Sequence, residues 1–331
     1  MWAIYPISSY TLRQTRSYGG IETDVSELKS LITLELPTGN TVSVVRRRFG
    51  HPGGLRVSIV AGIRGDAPEG IRVAHQLGAF LEEREDSLRG CVDIYPCMNP
   101  LASEQGSRRW PFFGVDLNRL FPGRPDGHPP DRTAFALSED IRGTDQAIEL
   151  RGARPSFFEA TQAHVRVGDA KALDLAMHAN VRVVWERSSG PAAPSTFAHQ
   201  IPDTIVLEGG SGNRLTQEVG RDLLYGLISL LVSLEVLPED ELPFHWATLT
   251  RPERVGDEQV VRVRSNQSGL FLPAGAMWGE VSSGELLGEV IDPTTGKRLS
   301  RIVSPVSGRL LAVREHPAVY EGTMVARVVV L

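Results

Sequence analysis

Four short segments of this chain carry side chains able to do chemistry. Ile63-Arg64-Gly65-Asp66-Ala67-Pro68-Glu69 follows an apolar run and opens a helical pattern. Arg108 precedes Asp116-Leu117-Asn118-Arg119, Glu149-Leu150-Arg151 ends a second apolar run, and Glu208-Gly209-Gly210 ends a third. Arginine suits carboxylate binding, because its planar fork donates two parallel hydrogen bonds. Asp66, Glu69 and Glu208, with His164, are the acid/base groups, although spacing alone does not bring them together. Metal binding is closed to Arg64 and Arg151, which stay protonated and offer no lone pair, and to Ala67, which has no donor atom. His75 and His178 fall in helical patterns and read as packed or solvated rather than ligating.

These segments need a frame. Residues 55–63 form a short apolar run ending at a Gly-bearing turn, as a buried parallel strand does. A helix is predicted over 69–83 from Ile71, Ala74, Leu77 and Leu81. Further strands are expected at 32–36, 42–46, 91–98, 146–150, 181–185 and 204–207, and helices at 131–142, 170–179 and 215–236. Alternating strands and helices predict a three-layer α/β domain with a mainly parallel sheet over residues 1–243. From 244 to 331 the chain turns to short β runs split by glycines, which predicts an all-β barrel or sandwich. Asp292-Pro293-Thr294-Thr295-Gly296 is a turn between two of its strands.

The 331 residues carry a net charge of −5, which gives no electrostatic case for nucleic acid or anionic membrane as a partner. The longest apolar run, 223–237, is too short to span a bilayer. Residues 1–20 lack the apolar core of a signal peptide. Cys91 and Cys97, six apart on one expected strand, would stand roughly 20 Å from each other, too far for a disulfide. A reduced, cytoplasmic setting is the expectation.

The segment Asn99-Pro100, Arg108, Pro111 and Asp116-Leu117-Asn118-Arg119-Leu120-Phe121-Pro122-Gly123 resembles the succinylglutamate desuccinylase/aspartoacylase family, which has the zinc-carboxypeptidase fold. The order of motifs is similar along nearly the whole chain, and the C-terminal part resembles biotinyl/lipoyl domains. In that family a His-Gly-Asp-Glu motif and a later histidine bind one zinc. The resemblance places Arg64, Ala67 and Arg151 at those three ligand positions, so it implies a degenerate metal site and no zinc. It places the substrate-carboxylate clamp at Arg108, Asn118 and Arg119. The family's general base falls at Leu207, with Glu208 displaced by one residue and able to reach the site only through a bulge. Ser304-Pro305-Val306-Ser307-Gly308 stands where a biotinyl domain presents its lysine. No lysine is there, so no covalent cofactor is expected.

Two functions of the pocket follow, beside a third in which the chain is a sensor or scaffold whose surface, rather than its pocket, matters. One is a pseudoenzyme that keeps a small-carboxylate pocket and acts as partner or regulatory subunit of an active relative, or as a homo-oligomer. The other is an active amide hydrolase of N-acyl amino acids or small peptides, using relocated ligands or a metal-free site built on Glu208, Asp66 and His164. Two inward arginines carry the same charge as one zinc ion, so guanidinium groups could replace the metal electrostatically, provided that carboxylates such as Asp66, Glu69 or Glu149, or a bound anion, balance them.

Overall fold

In the computed structural model, residues 17–18, 21–22, 27–191, 193–245 and 249–331 are described. Most of the stretch 1–26 of the expected β-rich lead-in, with any leader sequence, falls outside them. Strands β1 (Ser17–Tyr18) and β2 (Ile21–Glu22) pair antiparallel. Strands β3 (Glu27–Glu35) and β4 (Thr41–Gly50) form the expected hairpin, whose turn carries Gly39 at φ +83.

The centre of the molecule is built from β5 (Arg56–Ala61), β6 (Cys91–Tyr95), β7 (Gln146–Leu150), β8 (Phe157–Arg166), β9 (Val183–Arg187) and β10 (Ile205–Ser211). β6, β5, β7 and β10 lie side by side and parallel. β8, a ten-residue strand the sequence patterning did not predict, lies antiparallel beside β10, and β9 runs parallel to β8. The layers follow from strand alternation. Val57, Ile59 and Ala61 point into one core with α1 (Pro68–Glu82), α4 (Ala170–Ala176) and α6 (Gln217–Ser233). Val60 and Ala147 point into the opposite core with α3 (Pro129–Asp140) and α5 (Phe197–Gln200). β5 and β7 are covered on both faces, which is why they read as mainly apolar runs.

The C-terminal region holds β11 (Glu253–Gly256), β12 (Val260–Arg264), β13 (Gly269–Pro273), β14 (Glu280–Val281), β15 (Leu286–Ile291), β16 (Arg298–Val303), β17 (Gly308–Arg314), β18 (Ala318–Val319) and β19 (Met324–Val329). One set continues the main sheet: β17 pairs with β8, setting Ala312 opposite Glu159, and β19 and β12 extend beyond it. β11 pairs in parallel with β9. β16, β15, β13 and β18 make a second sheet. Leu310, Val325 and Val328 of the first set and Phe271, Leu287 and Val290 of the second share one core. The sheet therefore runs without a break across the expected boundary at 243/244, and that continuity carries C-terminal side chains to the site. At the Asp292 turn, Oδ1 accepts from the backbone N–H groups of Thr294 and Thr295. Among the described residues, no helix is long and apolar enough to cross a membrane.

Candidate functional site: an arginine-lined cavity

The loop from β5 into α1 is fixed by close packing. A Cβ on Gly65 would come within 2.2 Å of the Ala102 backbone, so glycine lets the loop lie directly on α2 (Pro100–Glu104). Glu69, fully buried, accepts from the Thr216 N–H at 2.7 Å and pairs with Arg72, which ties the start of α1 to the start of α6. Glu69 is thus occupied structurally. Asp116 orders the next segment: its carboxylate accepts from Asn118 N–H at 3.0 Å and from Arg108 Nε at 2.8 Å.

Arg64 and Arg151 meet at a cavity of about 470 Å³ at the carboxyl ends of the parallel strands. Arg108, Arg154 and Arg187 add to its wall, and Arg262, Arg264, Met324 and Arg327 enter from the C-terminal strands. Glu208 is the sole acidic residue among the described lining residues. Arg151 forks onto both carboxylate oxygens of the buried Glu149. Burial works against the charge of Arg151, and Glu149 more than restores it, so its pKa rises. Burial, with repulsion from Arg151 and Arg108, brings Arg64 down to about 10. It stays protonated at neutral pH, and its buried Nε has no hydrogen-bond partner among the described residues.

Glu208 sits opposite Gln162 on β8, and its Oε1 lies 3.4 Å from His164 Nε2. Burial forces His164 down to about 3, so the imidazole is neutral. Arg187 Nη1 approaches Nδ1 at 3.4 Å, which leaves the ring proton on Nε2, 3.1 Å from Gln162 Oε1. Burial opposes ionisation of Glu208. His164 and then Arg151, Arg64 and Arg154 outweigh it, and the carboxyl falls to about 2. Since His164 is uncharged at neutral pH, the arginines are what keep Glu208 ionised there.

Glu208 reaches the cavity without the bulge that sequence reasoning required. Leu207 is fully buried in the α1/α6 core, so ordinary alternation turns Glu208 to the other side. The register shift lies after it, between Glu208 and Gly210, where Gly210 has φ +83. The expected clamp is divided. Arg108 lines the cavity; Asn118 is buried, with Oδ1 accepting from Phe197 N–H at 2.9 Å; Arg119 is exposed. His75 and His178 are exposed on the surface. Sequence reasoning missed Arg154, Arg187, Arg262, Arg264 and Arg327. Arginine at alternate positions of β12 was a signal, but it matches the pattern of a solvated strand face.

Zinc of the family's kind needs three donors with lone pairs. The positions at issue hold two guanidinium groups, one of them fully engaged by Glu149, and the buried methyl of Ala67. No group of three His, Cys, Asp or Glu among the described residues could hold a metal ion. The residues present do not fit the metal.

Glu159 lies behind the cavity, between Arg154 Nε at 3.6 Å and Arg327 Nη1 at 3.9 Å, with Gln162 donating to it at 2.8 Å. Burial, and then repulsion from Glu208, raise its carboxyl from 4.5 to about 7. The folded chain therefore holds this proton more tightly than the unfolded chain. The stabilisation is fully present below about 4.5 and is lost as pH rises through about 7. His164, lowered from 6.5 to about 3, acts oppositely, so stability from its neutral ring is lost as pH falls through that range. The expected result is that Glu159→Gln unfolds at a temperature whose dependence on pH between 5 and 8 lacks the falling component of the wild-type curve. Parallel thermal scans of the two proteins would show this; superimposable slopes would contradict it.

Comparison with known proteins gives consistent results. The model of the succinylglutamate desuccinylase/aspartoacylase catalytic domain matches residues 53–143. The chain is 40% identical over 301 residues to the N-alpha-acetyl-L-2,4-diaminobutyric acid deacetylase of Halomonas elongata, covering 84% of this chain and 81% of that protein. Among solved structures, the product-bound ectoine utilization protein EutE (DoeB) of Ruegeria pomeroyi superposes with a TM-score of 0.78 at 21% identity, over 94% of this chain and 98% of that one. A succinylglutamate desuccinylase/aspartoacylase of Rhodobacter sphaeroides gives 0.76 at 20%, with the same coverage. At such identities the superpositions establish the α/β fold alone.

Proposed function

We infer what this cavity does from one premise: the chain belongs to the succinylglutamate desuccinylase/aspartoacylase family. We propose that it takes a small N-acyl amino acid bearing carboxylates and hydrolyses the amide bond without zinc at the family's ligand positions. The deacetylase relative supports the reaction class. The observation that carries it here is Glu208, an ionised carboxylate on a wall otherwise rich in arginine.

The steps use this chain's own groups. Arg108 holds the substrate carboxylate. Glu208 takes a proton from water as its oxygen attacks the acyl carbon. Arg64, whose buried Nε has no partner among the described residues, donates to the oxyanion that forms, and Arg151, held by Glu149, adds its positive field. Glu208 then gives its proton to the departing amine, releasing carboxylate and amino acid. Glu208→Gln is expected to slow this hydrolysis by ~10²–10⁴-fold. The check is free amino acid released from N-acetyl and N-succinyl amino acids, quantified by mass spectrometry.

A second reading is favoured by a specific observation. The arginines that keep Glu208 ionised also make it a feeble base, since a carboxyl held below its ordinary range has little affinity for the proton it must take. On this reading the chain binds its ligand without turnover and acts as the partner or regulatory subunit of an active relative, or as a homo-oligomer. Saturable binding of an N-acyl amino acid with no product above the Glu208→Gln background would select it. Product that depends on Glu208 would select hydrolysis.

A further inference from the structure

Part of the cavity lies beyond the groups used above, where β12 and β19 close over β8 and β9. Arg262 and Arg327 are directly opposite each other on antiparallel neighbours, and Arg264 follows on the same strand as Arg262. Like charges facing each other across a strand pair are destabilising, so such a stripe calls for an opposing charge. The nearby acids do not supply enough, because Glu208 is divided among Arg187, Arg151, Arg64 and Arg154. Glu159 is shared by Arg154 and Arg327 and is itself half protonated near neutral pH. Asp257 accepts from Trp185 Nε1 and Ser188 N–H, and only its field reaches Arg187. Arg264 is held by the Gly322 carbonyl at 2.7 Å, which fixes it without neutralising it.

Trp185 positions two of these cations. The Arg187 and Arg327 guanidinium carbons lie 4.7 and 5.4 Å from its ring centroid. An aromatic face orients a guanidinium while leaving its full charge and its donors available. Arg327 is 2% exposed, and its Nε and Nη1 have no hydrogen-bond partner among the described residues. A buried guanidinium with idle donors is costly unless a ligand completes it. Arg262 and Arg264 are exposed at the rim, where an entering anion would meet them first.

We propose that Arg187, Arg262, Arg264 and Arg327 form a second anion subsite that takes a phosphate or phosphoester group, so that the cavity's ligand is a two-ended anion with phosphate at the C-terminal strands and carboxylate at Arg108. Several convergent guanidinium forks match an oxyanion of charge two or more better than a single carboxylate. The inference rests on the function proposed above only in sharing its cavity.

Titration calorimetry on the full chain at fixed ionic strength tests it, with pyrophosphate, citrate and succinate as probes. Pyrophosphate is expected to bind most tightly. Arg262→Ala/Arg264→Ala, which alters two exposed side chains, should weaken pyrophosphate ~10- to 100-fold and leave succinate unchanged, while Arg108→Ala should do the reverse. Equal pyrophosphate affinity in the rim variant would overturn the subsite. Tighter binding of citrate than of pyrophosphate would overturn the phosphate assignment. Failure of the two proposals is separable: pyrophosphate binding through the rim arginines survives a chain that cleaves no N-acyl amino acid, and Glu208-dependent cleavage survives a rim variant that binds pyrophosphate normally.

Discussion

Replacing Arg151 with methionine is expected to destabilise the fold by about 3–5 kcal/mol, the cost of leaving a buried carboxylate without its partner. Glu149 is fully buried on the central parallel strand β7, and both its oxygens are held by this one guanidinium. Methionine nearly fills the volume, so the loss isolates charge rather than packing. One term runs the other way: Arg151 repels Arg64, and removing it relieves that repulsion, which moves the expected cost toward the lower bound. Glu149→Gln/Arg151→Met should recover much of the loss, because a neutral pair leaves no bare buried ion. Urea unfolding of the single and double variants checks this. A cost under ~1 kcal/mol for Arg151→Met would show that Glu149 is balanced by another group and that Arg151 is not structural.

What the sequence made legible, and what it hid, follows from how each strand is covered. Strands sandwiched between helix layers, such as β5 and β7, announce themselves as apolar runs, and the loops at their carboxyl ends carry the motifs. β8 gave no such signal. Glu159, Thr161, Gln162 and His164 interrupt it, yet all are buried, because they pack behind or beside the polar cavity instead of facing solvent. Period-two patterning recognises a half-wet strand or a dry one, not a strand whose polar residues serve a buried site. Glu208 was visible as a residue but not as a direction. Alignment to the family base placed it one residue out of step, whereas the burial of Leu207 fixes which side of β10 is core. Asn118 shows the opposite case. A motif can be kept while its side chains are otherwise engaged, as Asn118 is by Phe197. The arginines of β12 and β19 were out of reach because nothing local says that β17 pairs with β8. That long-range pairing, together with β11 on β9, brings a C-terminal stripe to the motif loops.

Arg64→His, Ala67→Glu and Arg151→His combined in one chain is expected to take up close to one zinc per chain, where the wild-type chain incubated with excess zinc and desalted retains far less. The donor chemistry sets this difference, since two imidazoles and a carboxylate supply lone pairs that two guanidinium groups and a methyl do not. Geometry supports it, because Arg64 and Arg151 open on the same cavity and position 67 closes the loop that carries Arg64. Glu149, freed from Arg151, is placed to accept the second ring N–H of an imidazole at 151, the outer partner that metal-bound histidines ordinarily have. The substitutions remove two positive charges and add one negative, and the metal returns two, so the arginines of the wild-type cavity and the ion of the variant are electrostatic near-equivalents. Elemental mass spectrometry on folded, tag-free protein gives the answer. A folded triple variant without zinc would mean that 64, 67 and 151 are not the family's ligand positions. Stoichiometric zinc in the wild-type chain would mean that donors other than these three positions hold a metal, with Glu208 and His164 the first to replace, and the arginines would then have to be explained by the anion they bind and not by the ion they replace.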